Sequence, residues 1–425
     1  MHEEPIVSGK IHCFQRIFRS KSGPQSLFFC ELSSSTVVIS RFLGTLAFVP
    51  VVFCLLTTGN SALALSLTLF DSVSGMVLIE KEQHKKLNPG VFVQLMTLYT
   101  ALRLTDGKDR SSLTVTVPES NIAARQNARR LYLRAGQTVS FNGLIKAVAV
   151  TNAEEACHVL AGTNGLNTRE FVEKMNFYAA EAGMKNSLFT SPVTAPGQVS
   201  SAYDLALLTQ EIRTRYPDIF ALFSEKTFSF AGNNQRNRNL LLWRGDDIDG
   251  VMSNKTSTAF IASSVHKKIT ADTERRLIAV YLPDRNARTD VSINQVLTLF
   301  RKGRADFETI RLFTAGTPVS ALEVLGGNRN RLEVAADKDI WVSIDRAKLA
   351  ARGTGGITGR VEYKKPVLAP VRKGDEIARL HVEFEGKELS SFPLRAMYDI
   401  GEGSTLSRFI DSVQLKLNVE PTEKK

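Results

Sequence analysis

Histidine and cysteine are scarce, at six and four in 425 residues. A thiolate or imidazole metal cluster has few residues to draw on, and neither His84 nor His158 has a Cys or His partner at ligand spacing. No metal and no other cofactor is therefore expected. Apolar runs of spanning length are also missing. The N-terminal run, Phe42–Leu56, stops at fifteen residues and contains Pro50, whereas a helix needs roughly 20 to cross a bilayer. No helix-turn-helix, zinc finger or aromatic platform accompanies the net charge of +11, so nucleic acid is a poor partner. An apolar fraction of 43% and a charged fraction of 23% exclude a disordered chain and a polytopic membrane protein.

What stands at the N-terminus reads as an export signal. Arg41 precedes the apolar run, and Ala62-Leu63-Ala64 follows it with small residues two apart, the pattern of a cleavage site after Ala64. A buried helix and an uncleaved anchor are the alternatives. Residues 1–64 hold five basic and three acidic residues, so the remainder carries +9. It also keeps a single cysteine, Cys157, which excludes an internal disulfide.

Beyond the signal, two β-rich runs, Leu67–Phe70 and Met76–Ile79, flank a Ser- and Gly-rich turn and predict a hairpin. Asn88-Pro89-Gly90 then opens a helix over Phe92–Leu104, where Phe92, Leu95, Met96, Tyr99 and Leu102 recur at helical spacing. Further helices are expected over Phe141–Leu160, over Thr168–Ala182 with Gly183 as its stop, and over Ser200–Ile212 with Ser200 or Ser201 as N-cap. Strands at Lys226–Phe230, Phe260–Val265 and Arg276–Leu282 precede a closing helix at Asn294–Arg301. Strands, then helices, then strands make an α+β domain over residues 65–305. From Phe307 short β runs recur at Arg331–Val334, Asp339–Ile344, Gly359–Tyr363, Ile377–Phe384 and Lys387–Ala396, which predicts a small all-β sandwich or flattened barrel over residues 306–402. Gly401-Glu402-Gly403 reads as a hinge. In the tail, residues 403–425, Ser404–Leu417 places Leu406, Phe409, Ile410, Val413 and Leu417 on one helical face, which suits the surface of a membrane or a protein partner.

Several landmarks stand in order along this chain. They are Asp71 with Ser74-Gly75; Asn88-Pro89; Leu131-Tyr132-Leu133-Arg134; Glu155-Ala156-Cys157; Gly183-Met184-Lys185-Asn186; Ser200-Ser201-Ala202-Tyr203-Asp204; Asn237-Arg238-Asn239 before Leu241-Leu242-Trp243; Asp249-Gly250; and Asp337-Lys338-Asp339. With them, residues Leu65 to Leu417 resemble the low-molecular-mass penicillin-binding proteins, the serine D-alanyl-D-alanine carboxypeptidases of the penicillin-binding protein 5 type. The resemblance implies a β-lactamase/transpeptidase-like domain, an antiparallel sheet with helices, ahead of the β domain. It also implies an exported, periplasmic protein that meets peptidoglycan or its stem peptides. Through Ser404–Leu417 it would be attached to the outer face of the inner membrane.

That family's chemistry uses Ser-x-x-Lys, Ser-x-Asn and Lys-Thr-Gly. The serine attacks the terminal D-Ala-D-Ala amide, the lysine one turn later takes its proton, and the third motif binds the substrate carboxylate. By this resemblance the first motif falls at Val91-Phe92-Val93-Gln94, the second at Asn152-Ala153-Glu154 and the third at Met252-Ser253-Asn254. Valine offers no nucleophile, glutamine is no base near neutral pH, and methionine removes the cation. The expectation is that no catalytic residue is intact at Val91, Gln94, Asn152, Glu154, Met252, Ser253 and Asn254. The chain then reads as a pseudoenzyme with a binding or scaffolding role. The alternative is an active carboxypeptidase using relocated residues, for which Lys255-Thr256-Ser257 is a slipped third motif; a chain without a role is a third reading. Cys157 reads as a small buried residue rather than a nucleophile. Arg125, Arg129, Arg130 and Arg134 with Lys146 read as a solvated surface or, alternatively, as a face for anionic wall polymers.

Overall fold

The structure is a computed structural model, and it describes residues 6–11, 65–118, 131–245, 247–283 and 287–404. The run read as an export signal, Arg125, Arg129, Arg130 and the tail beyond Ser404 that the sequence reads as a helix therefore lie outside the described residues. Strand β1 (Ile6–Ile11) is followed by the expected hairpin of β2 (Ser66–Asp71) and β3 (Met76–Lys81). Helix α1 (Val93–Arg103) comes next, entered through a 3-10 turn at Gly90–Phe92. Ten of its eleven residues are buried. Burying each large apolar side chain contributes about 1.5–3 kcal/mol, so this helix is the centre of the first domain's core.

Strands β4 (Thr114–Thr116) and β5 (Thr138–Ser140) form a small ribbon before helix α2 (Phe141–Thr151) and helix α3 (Glu154–Leu160). The sequence predicts one helix here, over Phe141–Leu160, and the structure corrects it. Asn152 takes the left-handed conformation (φ 55°, ψ 47°) and ends α2. Asparagine tolerates that region better than most side chains. Helix α4 (Thr168–Glu181) starts with a reciprocal capping box between Asn167 and Glu170. Helix α5 (Ala202–Arg215) is capped by Ser201, whose side chain accepts from the Asp204 amide. Helix α6 (Pro217–Leu222), strands β6 (Thr227–Phe230) and β7 (Asn233–Arg236), and strands β8 (Ile248–Ser253), β9 (Phe260–Lys268) and β10 (Glu274–Leu282) follow. Helix α7 (Thr289–Asp306) closes the domain and is longer than the Asn294–Arg301 expected.

The domain's sheet is antiparallel with strand order β3-β2-β10-β9-β8. The N-terminal hairpin thus completes a sheet whose other strands lie some two hundred residues later, and helices cover both faces. Gly303 of α7 lets that helix approach closely: a Cβ there would come within 2.5 Å of the Leu69 side chain.

The second domain comprises β11 (Phe307–Phe313), β12 (Pro318–Leu325), β13 (Arg331–Ala335), β14 (Ile340–Asp345), helix α8 (Arg346–Arg352), β15 (Ile357–Lys364), β16 (Val367–Leu368), β17 (Glu376–Phe384) and β18 (Lys387–Ala396). Its large sheet runs β1-β15-β17-β18-β13-β12-β16, and β11 pairs with β14 as a second sheet. Their inner faces share a core that includes Leu332, Val342, Leu380 and Leu394. Gly401-Glu402-Gly403 is not a free hinge. Glu402 bridges to Gly327, and the Gly403 amide donates to the Gly326 carbonyl at 2.8 Å.

The two domains meet on a buried ion pair. Asp71, at the end of β2, and Arg275, on β10, are both fully buried and meet at 2.9 Å. The same Asp71 oxygen accepts from Thr309 Oγ1 at 2.7 Å and Ser343 Oγ at 3.2 Å, both in the β domain. Its other oxygen accepts the amides of Val73 and Ser74. Arg275 also donates to the carbonyls of Phe307 and Gly303. A buried pair persists only when its remaining hydrogen-bonding capacity is met, and here residues from both domains meet it.

Candidate active site

Three segments converge at the edge of the helical layer. Asn88 starts the first: its side chain accepts the Gly90 amide at 2.8 Å, and Gly90 (φ 56°) turns the chain into the 3-10 turn that carries Val91. Thr194 Oγ1 donates to the Gly90 carbonyl at 2.8 Å and fastens this corner. The second segment is the α2–α3 junction. Its left-handed Asn152 donates through Nδ2 to the backbone carbonyl of Ser253 at 2.9 Å, which joins it to the third segment, the end of β8. The Val91 turn packs against β8 as well. The fold therefore brings together all three sets of positions singled out in the sequence.

These positions hold little polarity that reaches water. Gln94, Asn152, Glu154, Met252 and Ser253 are buried, while Val91 and Asn254 are half-buried. Gln94 Oε1 and Ser253 Oγ are buried without a hydrogen-bond partner. Asn254 organises the following turn, accepting the amides of Thr258 and Ala259 at 2.8 and 3.1 Å. Lys255 and Thr256 lie exposed on that turn. They do not continue the strand, so the slipped third motif has no strand backbone beneath it. Thr97 Oγ1 donates to the Pro192 carbonyl at 2.5 Å. Ser74 belongs to the interdomain network and Ser72 to the same turn. Cys157 is fully buried, and burial, with Glu154 adding, pushes its thiol well above the usual range, so it is no thiolate nucleophile. Burial likewise lowers the His158 pKa, against the pull of Glu154 and Glu155. Among the described residues no group of three or more His, Cys, Asp or Glu side chains is placed to hold a metal ion.

The landmark residues are fasteners. Glu155 Oε2 accepts the Leu131 and Leu133 amides at 2.8 and 3.4 Å, which holds the exposed Tyr132 between them at φ 58°. Asp204 accepts the Asn186 amide and the Ser187 hydroxyl, both at 2.7 Å. Asn237 donates to the Phe223 and Glu225 carbonyls, and Asn239 accepts the Leu241 amide. Lys146, read as part of a basic face, pairs with Glu225 at 2.8 Å.

Residues 57–286 match the family described as D-alanyl-D-alanine carboxypeptidase, and residues 307–402 match the C-terminal domain of penicillin-binding protein 5. The chain belongs to the D-alanyl-D-alanine carboxypeptidase family. It is 28% identical to the carboxypeptidase DacD of Escherichia coli over 81% of this chain and 89% of that protein. It is 30% identical to DacA of Haemophilus influenzae over 81% and 86%. Among solved structures it resembles penicillin-binding protein 5 of H. influenzae with a TM-score of 0.67 at 30% identity, covering 79% of this chain and 97% of that one. Penicillin-binding protein 6B of E. coli follows with a TM-score of 0.58 at 26% identity, covering 77% and 93%. The α+β reading, with a transpeptidase-like domain ahead of an all-β domain, holds. No helix among the described residues is long and apolar enough to cross a membrane.

Proposed function

We propose that this chain is a catalytically inactive carboxypeptidase-family protein that binds peptidoglycan or its stem peptides. The observation that carries it is the occupancy of the convergence point. Val91 and Gln94 stand where a nucleophile and its base are needed, and Met252 stands where a cation would hold a substrate carboxylate. Without a hydroxyl activated by an adjacent base, attack on an amide has no first step. Ser253 supplies a hydroxyl, but it is buried without a partner, and the following Lys255 is exposed. In this reading the protein is exported to the periplasm, and Ser404–Leu417 attaches it to the outer face of the inner membrane.

Covalent labelling with a fluorescent penicillin tests the reading, run beside an active relative and a heat-denatured control. The expected result is no acyl-protein band from the folded chain. A band that denaturation abolishes would overturn it, and mapping the adduct by mass spectrometry would name the relocated nucleophile.

A further inference from the structure

We propose that the β domain makes a membrane contact of its own, through the loop over residues 364–373, which seats an exposed leucine among the headgroups of an anionic lipid surface. The proposal rests on the membrane attachment read above for Ser404–Leu417 and adds a contact that the tail does not supply. Leu368 is 55% exposed in this loop, and Pro366 and Pro370 are exposed on either side of it. A single surface leucine signifies little by itself, so its surroundings decide. Backbone bonds place the loop beside the point where the chain departs into its tail. Strand β16 runs parallel to β12 with Leu368 opposite Leu325, and the Ala369 amide donates to the Leu325 carbonyl at 3.0 Å. Val371 and Ile400 exchange amide-to-carbonyl bonds at 2.9 and 2.8 Å. The Gly403 amide then binds the carbonyl of Gly326, next to Leu325, immediately before the tail opens at Ser404. A tail lying on a membrane therefore brings Leu368 to the same surface.

The charge around the leucine suits phosphate. Lys365, Arg372 and Lys373 are exposed, as is Arg329 on the adjoining turn, and none of the four has a carboxylate partner among the described residues. Lys365 lies over the Tyr363 ring at 5.6 Å and Arg329 over the Tyr398 ring at 5.2 Å. Each cation thus stands on a half-buried aromatic ring, a pairing suited to the boundary between hydrocarbon and water. The acids at this end are bound elsewhere. Asp375 accepts the Arg372 amide at 2.9 Å and Asp399 the Lys373 amide at 2.7 Å. Glu402 and Lys364 have partners of their own, and Glu323 stands opposite Arg331 across β12 and β13. With Arg329, the loop's four cations face Asp375, Asp399 and Glu402, so the patch stays positive. Glu3 and Glu4, which precede the Ile6 paired with Lys364, and the charged residues of the tail lie outside the described residues. An apolar tip ringed by cations free of partners gains from lipid on two counts, burial of the leucine and attraction to the anionic headgroups.

The test places an environment-sensitive fluorophore at position 368 of the full chain. Leu368→Cys carries it, Cys13, Cys30 and Cys54 are replaced by serine, and Cys157 stays unlabelled because it is fully buried. Lys387→Cys, exposed at the far end of β18, is the control position. On vesicles of phosphatidylglycerol the fluorophore at 368 is expected to brighten and shift to the blue while that at 387 does not, and phosphatidylcholine vesicles are expected to give no shift at 368. Lys365→Gln, Arg372→Gln and Lys373→Gln together are expected to raise the lipid needed for half the shift about a hundredfold. All three side chains are exposed, so the melting temperature should hold, and added salt should weaken the wild-type shift in the same direction. A vesicle-bound chain whose fluorophore at 368 stays in water, or an equal shift at both positions, would overturn the contact and leave the tail attachment standing. A shift that follows protein concentration without vesicles would overturn it in favour of a second copy. A chain that binds no vesicles removes the contact and the tail attachment together.

Discussion

Asn152 Nδ2 donates to the carbonyl of Ser253 across 101 residues of sequence, at 2.9 Å. One side chain thereby ties the α2–α3 break to the end of β8. The bond belongs to the scaffold, because it fastens two segments far apart in the sequence. Asn152→Ala removes both the bond and a residue suited to φ 55°. A loss of about 1–3 kcal/mol is expected, read as a lower midpoint in urea denaturation.

Restoring the chemistry requires more than the nucleophile. Val91→Ser alone is expected to give no penicillin adduct, since Gln94 cannot take the proton. On the proposed reading, adding Gln94→Lys, Asn152→Ser, Glu154→Asn, Met252→Lys, Ser253→Thr and Asn254→Gly would rebuild all three motifs, and labelling is expected to appear. Time-resolved fluorescent-penicillin labelling of both variants checks this. An adduct on the single variant would mean that another base lies within reach.

The buried Asp71–Arg275 pair makes a strong stability prediction. Asp71→Ala leaves the Arg275 guanidinium buried without its counter-charge and Thr309 without its acceptor. The expected cost is about 3–5 kcal/mol. Denaturation followed by separate reporters in the two domains is also expected to show their transitions moving apart.

Cys157 is fully buried and burial raises its pKa. In the chain from Leu65 onward it is the single cysteine, so a thiol reagent reads out global opening. Labelling of the folded protein is expected to be slow and to match unfolding in its urea dependence. Rapid labelling at neutral pH in native buffer would contradict the packing described.

Acid is expected to loosen the seam between the domains. Burial raises the Glu308 pKa, but Lys267 of β9 and Arg346 of α8 outweigh it, so the carboxyl sits below its ordinary 4.5. Inside the β domain, Asp339 is also lowered by the Ala315 amide, with Arg311 adding, against burial, so acid weakens that domain's own packing as well. A carboxyl whose folded pKa lies below its unfolded value contributes stability above the unfolded pKa and loses it as pH falls. The urea midpoint is therefore expected to drop between about pH 5 and 3, and Glu308→Gln should flatten that drop.

Much of the fold was legible because its local signals agree. Phe92, Leu95, Met96, Tyr99 and Leu102 mark α1 by period, and Gly183 marks the end of α4 by its conformation (φ 77°). The Asn152 break was not legible. Apolar residues continue through Ala153 and Ala156, and only the distant Ser253 carbonyl shows why the chain turns there. Helix α8 was missed because none of its residues is buried, so it carries no apolar stripe. Strand β11 was missed because Phe307 follows Asp306 without any turn residue. The convergence of Val91, Asn152 and Ser253 followed from resemblance, since nothing in the local pattern of each segment points to the other two. The partnerless Gln94 Oε1 needed coordinates, because pairing depends on what surrounds an atom rather than on its neighbours in sequence.

The shared hydrogen bonds of Asp71 also limit how this protein can be recombined. Thr309 and Ser343 of the β domain complete the shell around an anion that belongs to its neighbour. A chain ended after Asp306 would lack both hydroxyls and the Phe307 carbonyl that Arg275 uses. Exchange of the β domain with that of a relative would succeed only where the incoming domain carries hydroxyls at the same two places. The two domains therefore fit each other as a matched pair rather than as separable modules.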